Sequence, residues 1–200
     1  MPYERKDVHY RRAKAAGYRA RSAYKLIELD DRHRILHPGD LVADLGAWPG
    51  AWLQVAAERI TPRGRVVGID LVEVASLGLP HVSCLVGDVR DPAAISALVD
   101  RLGDRATVII SDLAPKLTGV RDTDDARTTE LGAATLRVAR RALRPAGRLV
   151  MKAFMNADFP LLIGRLRAEF EHVKTTKPEA TRRGSSEVYA IATGYRTPCG

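Results

Sequence analysis

The chain has 200 residues, 46% of them hydrophobic, with a formal net charge of +8. That length favours a single domain, residues 1–200, large enough to bury a real core. The absence of any uninterrupted apolar run of about 18 residues excludes a helical membrane span, and the basic balance points towards a polyanionic partner.

The charge is concentrated at the start. Residues 1–25 hold eight basic side chains (Arg5, Lys6, Arg11, Arg12, Lys14, Arg19, Arg21, Lys25) against two acids, Glu4 and Asp7, with Tyr3, Tyr10, Tyr18 and Tyr24 interleaved. No apolar core of a secretory signal occurs here, and the two acids argue against an organelle transit peptide. Residues 1–34 therefore read as a basic, partly helical arm, and 35–200 as the core. A second basic cluster, Lys174, Lys177, Arg182 and Arg183, lies near the other end. Cys84 and Cys199 have neither metal-ligand nor disulfide spacing. No metal is expected, and a reducing cytoplasm is the default compartment. No residue speaks to oligomeric state; a monomer is the default.

From residue 41 apolar runs and helical periods alternate. LVADL (41–45) predicts a strand, 52–59 a helix, RVVGID (65–70) and VSCLV (82–86) two further strands, and 92–102 a helix. TVIISDLAP (107–115) is a buried strand broken at a proline. Residues 116–125 read as the most mobile loop. A long helix over 125–143 is closed by Pro145 and Gly147. A fifth strand follows at 148–154, a helix at 159–170, and strands at 173–177 and 188–195. Alternation on this scale predicts α/β architecture with a mostly parallel sheet and helices on both faces. The last two strands are joined by too short a loop for a helical crossover, so they should form an antiparallel hairpin.

In such sheets ligands bind at the carboxyl ends of the strands. DLGAWPGAW (44–52) joins the first strand to the first core helix, and Gly46 and Gly50 allow close backbone approach. Asp44, Asp70 and Asp88 all end strands around this loop. Each could merely cap a turn or helix; together they predict a nucleoside site, with Asp70 placed to bind ribose hydroxyls. Trp48 occupies the middle position of the dinucleotide pattern G-x-G-x-x-G, which makes NAD the second choice. S-adenosyl-L-methionine has no phosphate to cradle, and its sulfonium suits an acid-rich pocket.

Asp112 (SDLAP) and Lys152 (MKAF) end neighbouring strands, Glu187 (SSEVY) starts the last strand, and Lys25 (SAYKL) sits on an N-terminal helix. A lysine within LVMKAF is unusual, because lysine is rarely buried unpaired. It either snorkels from an edge or is held against Asp112.

RSAYKL, DLGAWPGAW, GID, GDVRDP, SDLAP, MKAF and SSEVYAIATG, in this order, resemble the FtsJ/RrmJ-like ribose 2′-O-methyltransferases, nearest to the ribosomal RNA large subunit methyltransferase E branch. The likeness runs from about residue 5 to 195. It implies a Rossmann-like fold with a seven-stranded sheet and a Lys–Asp–Lys–Glu tetrad at Lys25, Asp112, Lys152 and Glu187. The implied cofactor is S-adenosyl-L-methionine, at Gly46, Gly50, Trp52, Asp70, Asp88 and Asp112. The implied substrate is a uridine of 23S ribosomal RNA in the large subunit, although similar proteins act on transfer RNA or organellar ribosomal RNA.

The chemistry of such a tetrad stands independently. A 2′-hydroxyl must lose its proton as it attacks, and its presence makes RNA the substrate. Lys152 is the candidate base, Lys25 a second cation, and Asp112 and Glu187 their holders. Burial and a neighbouring ammonium depress a lysine's pKa while carboxylates raise it, so the residues alone leave the net open. Positioning counts at least as much. Trp48, Ala51, Lys116 and the segment AFMNADFP depart from the family's usual residues, which bears on cofactor and substrate fit. A non-catalytic ribosome-assembly protein is disfavoured by the intact tetrad. Base methylation is disfavoured by the lack of a Pro-Pro-aromatic clamp or a cysteine nucleophile.

Overall fold

The computed structural model describes residues 13–115, 118–181 and 184–197, with the backbone alone at Arg121. Arg5, Lys6, Arg11, Arg12, Lys116, Arg182, Arg183 and Cys199 lie outside the described residues.

Seven strands form one sheet: β1 (Leu41–Leu45), β2 (Arg65–Asp70), β3 (Val82–Val86), β4 (Ala106–Ser111), β5 (Leu143–Phe154), β6 (Phe170–Thr176) and β7 (Glu187–Tyr195). Their order is β3-β2-β1-β4-β5-β7-β6. The first five pair in parallel, whereas β7 is antiparallel to both β5 and β6. The Rossmann-like α/β sheet with its antiparallel closing hairpin is as the sequence predicts. Five helices are described within its elements: α1 (Ala23–His33), α2 (Ala51–Ile60), α3 (Pro92–Leu102), α4 (Arg121–Ala142) and α5 (Phe159–Glu169). Among the described residues no helix is long and apolar enough to cross a membrane.

The boundaries differ from the expected ones where side chains or bulges intervene. α4 begins four residues earlier than its periodicity suggests, because the Asp124 carboxylate accepts the N–H groups of Thr118 and Gly119 and ties the preceding loop to the helix. Residues 121–125 are therefore helical. Leu143 pairs with Ala106 and Arg148 with Val108, so Arg144–Gly147 form a bulge inside β5. Pro145 and Gly147 do end the helix, but the strand resumes around them. β4 stops at Ser111, leaving Asp112–Pro115 irregular.

Strand alternation sorts the core into two layers. Leu45, Ile69, Ile109, Leu149, Met151 and Ala190 pack against α3, α4 and α5. Val42, Val66, Ile110, Val150, Tyr189 and Ile191 pack against α1 and α2. Counting on by two from these puts Asp44, Asp112, Lys152 and Glu187 on the α1/α2 side, at the carboxyl end of the sheet. That period of two assembles the site.

Candidate active site

Lys152 lies opposite Tyr189, and Phe154 opposite Glu187, on the β5–β7 ladder. The ladder thus carries two strands' polar side chains to one place, while the segment after β4 brings Asp112. The Lys152 ammonium donates to the Asp112 carbonyl at 2.6 Å and to its Oδ1 at 3.0 Å. Its side chain is only 6% exposed. The lysine inside LVMKAF is therefore held against its neighbour strand rather than snorkelling away from it. Lys25, from α1, donates to Glu187 Oε1 at 2.5 Å. All four sequence-predicted tetrad residues come together, as two ion pairs.

Tyr189 joins the pairs, and sequence reading missed it. Its hydroxyl donates to Asp112 Oδ1 at 2.6 Å, and Lys25 Nζ donates to the Tyr189 hydroxyl oxygen at 3.4 Å. The Lys25 ammonium also stands 5.7 Å from the Tyr189 ring centroid. Burial, followed by the charges of Asp112 and Glu187, pushes the phenol well above its ordinary pKa, so it remains a donor. A signal existed: Glu187 and Tyr189 are two apart on a strand and share a face.

The predicted nucleoside residues divide by role. Asp44 is fully buried, and neither carboxylate oxygen has a partner. Burial first, then the charges of Asp112 and Asp70, raises its carboxyl well above the usual range. A polar group in this condition is costly and suits an incoming cation. Asp70 accepts the N–H groups of Trp48 and Val72, each at 2.9 Å, and so fixes the loops after β1 and β2 together. Asp88 is clamped by Arg90, whose Nη2 lies 2.6 Å from Oδ2, and that contact holds its carboxyl below the ordinary range. The cap of α3 is Asp91, which accepts from Ala93; Asp88 does not cap it. The exposed side chains of Trp48, Leu71, Val72 and Val86 give these strand ends an apolar rim.

Gly46 and Gly50 have φ of 81° and 109°, conformations that favour glycine. A side chain at Gly46 would meet Leu113, and one at Gly50 would meet Arg19. The glycines thus let neighbouring loops close on this one. The Trp52 indole is 3% exposed, donates to the Ser22 carbonyl at 2.9 Å and packs on Tyr189 with ring centroids 5.9 Å apart. It links the loop to α1. Arg19, counted in the basic arm, donates to the carbonyls of Pro49, Ala75 and Ser76. Its guanidinium is a loop clamp, which removes it from the phosphate-facing set. Lys177 donates to the Ser185 carbonyl, and Lys174 stays exposed. The half-buried Cys84 thiol is pushed up to about 11, chiefly by burial and then by Asp44, and is unreactive.

The donor set fits a cationic nucleoside: an orphaned buried carboxylate at the floor, two further strand-end carboxylates, and an apolar rim. Among the described residues no cluster of His, Cys, Asp or Glu is placed to hold a metal ion.

Comparison with known proteins bears on the family and the fold. The FtsJ-like methyltransferase family model matches residues 18–195. The ribosomal RNA large subunit methyltransferase E of Syntrophobacter fumaroxidans is 43% identical over 98% of this chain and 99% of its own. The Methanothermobacter thermautotrophicus protein of the same name is 38% identical over 96% and 91%. Among solved structures, a Plasmodium falciparum protein described as a ribosomal RNA methyltransferase superposes with a TM-score of 0.78 at 27% identity, over 89% of this chain and 98% of that one. Aeropyrum pernix fibrillarin, solved with natively bound S-adenosyl-L-methionine, superposes with a TM-score of 0.61 at 18% identity, over 86% and 76%, a likeness of fold alone. The chain belongs to the FtsJ-like methyltransferase family.

Proposed function

We propose that the protein transfers a methyl group from S-adenosyl-L-methionine to the ribose 2′-hydroxyl of a uridine in 23S ribosomal RNA, within the large ribosomal subunit. The observation that carries this reading is the buried Lys152–Asp112 pair, joined through Tyr189 to Lys25–Glu187 at the carboxyl end of the sheet.

Asp44, Asp70, Asp88 and the loop 46–52 would hold the cofactor, with Asp44 answering its positive charge. Bound there, it supplies an electrophilic methyl group. Asp112 fixes the Lys152 ammonium through two acceptors, which leaves its remaining direction for the 2′-hydroxyl. Once neutral, Lys152 accepts the hydroxyl proton; before that it orients the oxygen. Glu187 fixes Lys25, and the Tyr189 hydroxyl holds Asp112 in line. Burial of these groups keeps water away from the reacting hydroxyl. The exposed Lys174 and the basic residues before position 13 supply charge for RNA phosphates.

The test is methyl transfer from labelled S-adenosyl-L-methionine to large ribosomal subunits from an unmodified strain, to naked ribosomal RNA and to bulk transfer RNA. Lys152→Ala should lower transfer by roughly 10²–10⁴-fold, the span of general-base catalysis, with cofactor affinity by calorimetry close to wild type. Normal turnover by Lys152→Ala would remove the base assignment. Label on transfer RNA alone would retain the chemistry and overturn the substrate.

A further inference from the structure

A second cleft opens at the end of β5, away from the strand-end carboxylates. It lies open to solvent between α4 and α5, starts at Lys152 and runs under the turn 154–159. Phe154, Phe159, Leu161 and Leu162 give it apolar walls. None of Asp44, Asp70, Asp88 or the 46–52 loop lines it. Five of its lining residues, Ala153, Phe154, Asn156, Asp158 and Phe159, come from the segment AFMNADFP.

One buried polar group in the cleft is unspent; the Arg165 guanidinium, which also lines it, is exposed to solvent. Asn156 Oδ1 accepts the N–H of Asp158 at 3.2 Å. That bond sets the amide's orientation and turns Nδ2 the other way, where it is buried with no hydrogen-bond partner. The hydroxyls of Thr128 and Thr129, by contrast, donate to Asp124 and Asp158. A buried unpaired donor between apolar walls is complementary to a flat ring that carries a carbonyl oxygen.

We infer that this cleft receives the base of the nucleotide being methylated, with the Asn156 amide donating to a carbonyl of its edge. The inference rests on the methyl-transfer reading, because it takes the ribose to react at Lys152, where the cleft begins. Uracil satisfies Asn156 through either carbonyl, cytosine and guanine through their one carbonyl, and adenine through a ring nitrogen. Asn156 is a residue that touches the substrate base, and it takes no part in holding the cofactor.

Asn156→Asp tests this cleanly. It keeps an oxygen that can accept from Asp158 and replaces the donor with a second, charged acceptor. Ala157→Asp, at the exposed neighbour, introduces the same charge without touching the amide. Asn156→Asp should lower kcat/KM for unmodified large ribosomal subunits at least tenfold, with the loss mainly in KM. Its melting temperature and its calorimetric affinity for S-adenosyl-L-methionine should match wild type, and Ala157→Asp should lose no more than about threefold, as expected of an exposed charge. An unchanged kcat/KM in Asn156→Asp overturns the inference, as does an equal loss in Ala157→Asp. If wild type transfers no methyl to any RNA, or Lys152→Ala remains fully active, the parent reading fails instead, which is a separate result.

Discussion

Asp40 and Asp44 stand four residues apart, at the two ends of β1, and obey opposite rules. Both are buried, at 6% and 0% exposure. Asp40 accepts from the Arg148 guanidinium at 2.6 Å, from the Thr107 hydroxyl at 2.7 Å and from the His37 N–H at 2.6 Å. Asp44 accepts from nothing. The amino end of the sheet is completed by the protein's own side chains. The carboxyl end is left one partner short, and that deficit is where a ligand can gain binding energy. A buried carboxylate alone is therefore no sign of function; its unmet hydrogen bonds are.

The largest stability effect should come from breaking the satisfied end. Asp40→Ala leaves the Arg148 guanidinium, 15% exposed, beside an empty position. Loss of one partner of a buried pair costs about 3 kcal/mol. Urea unfolding should show that loss, while kcat of the folded fraction stays unchanged. A cost below about 1 kcal/mol would mean that Asp40 is solvated well enough to need no partner, and the contrast with Asp44 would weaken.

Asp44→Asn should do the reverse. Its carboxyl is held well above the ordinary value in the folded protein, while in the unfolded chain it ionises near about 4. Over that interval the folded state keeps a proton that the unfolded chain has released. Stability of the ligand-free wild type therefore falls as pH rises from about 4 towards the folded-state pKa. The asparagine variant lacks that decline and should melt higher at neutral pH. It should also bind S-adenosyl-L-methionine roughly tenfold or more weakly, because a charge-assisted bond worth about 1.5–3 kcal/mol is gone. Higher melting together with undiminished affinity would show that Asp44 never meets the cofactor's charge.

Much of this was legible in the sequence, for stated reasons. The strands and helices followed from apolar periodicity, and the antiparallel hairpin from a loop too short to cross over. Lys152 was legible because a lysine in an apolar strand contradicts its surroundings. Asp40 was not, because an acid just before a strand looks like any turn residue until Arg148, over a hundred positions away, arrives beside it. Arg19 was misread for a similar reason: a basic residue in a basic arm looks phosphate-facing, yet carbonyls of three residues remote in sequence claim it. Asn156 drew notice only as part of an atypical segment, since an unspent amide proton is visible only in three dimensions. Tyr189 drew no notice, being one residue of an apolar strand.

Tyr189 lies between the two regimes, and this sets the smallest effect. Its ring belongs to the core, packed on Trp52, whereas its hydroxyl belongs to the site, bonded to Asp112. Tyr189→Phe keeps the first role and deletes the second. Asp112 would still hold Lys152 through its carbonyl and Oδ1, so the catalytic pair survives with one restraint fewer. Transfer should fall by about three- to tenfold, in line with a net hydrogen-bond contribution of about 0.5–1.5 kcal/mol, and the loss should appear in kcat, not in cofactor affinity. Stability should shift by less than about 1.5 kcal/mol, since of the hydroxyl's two partners Asp112 Oδ1 keeps Lys152 and Lys25 keeps Glu187. A loss as deep as that of Lys152→Ala would instead make the phenol a participant in proton transfer and extend the tetrad to five working groups.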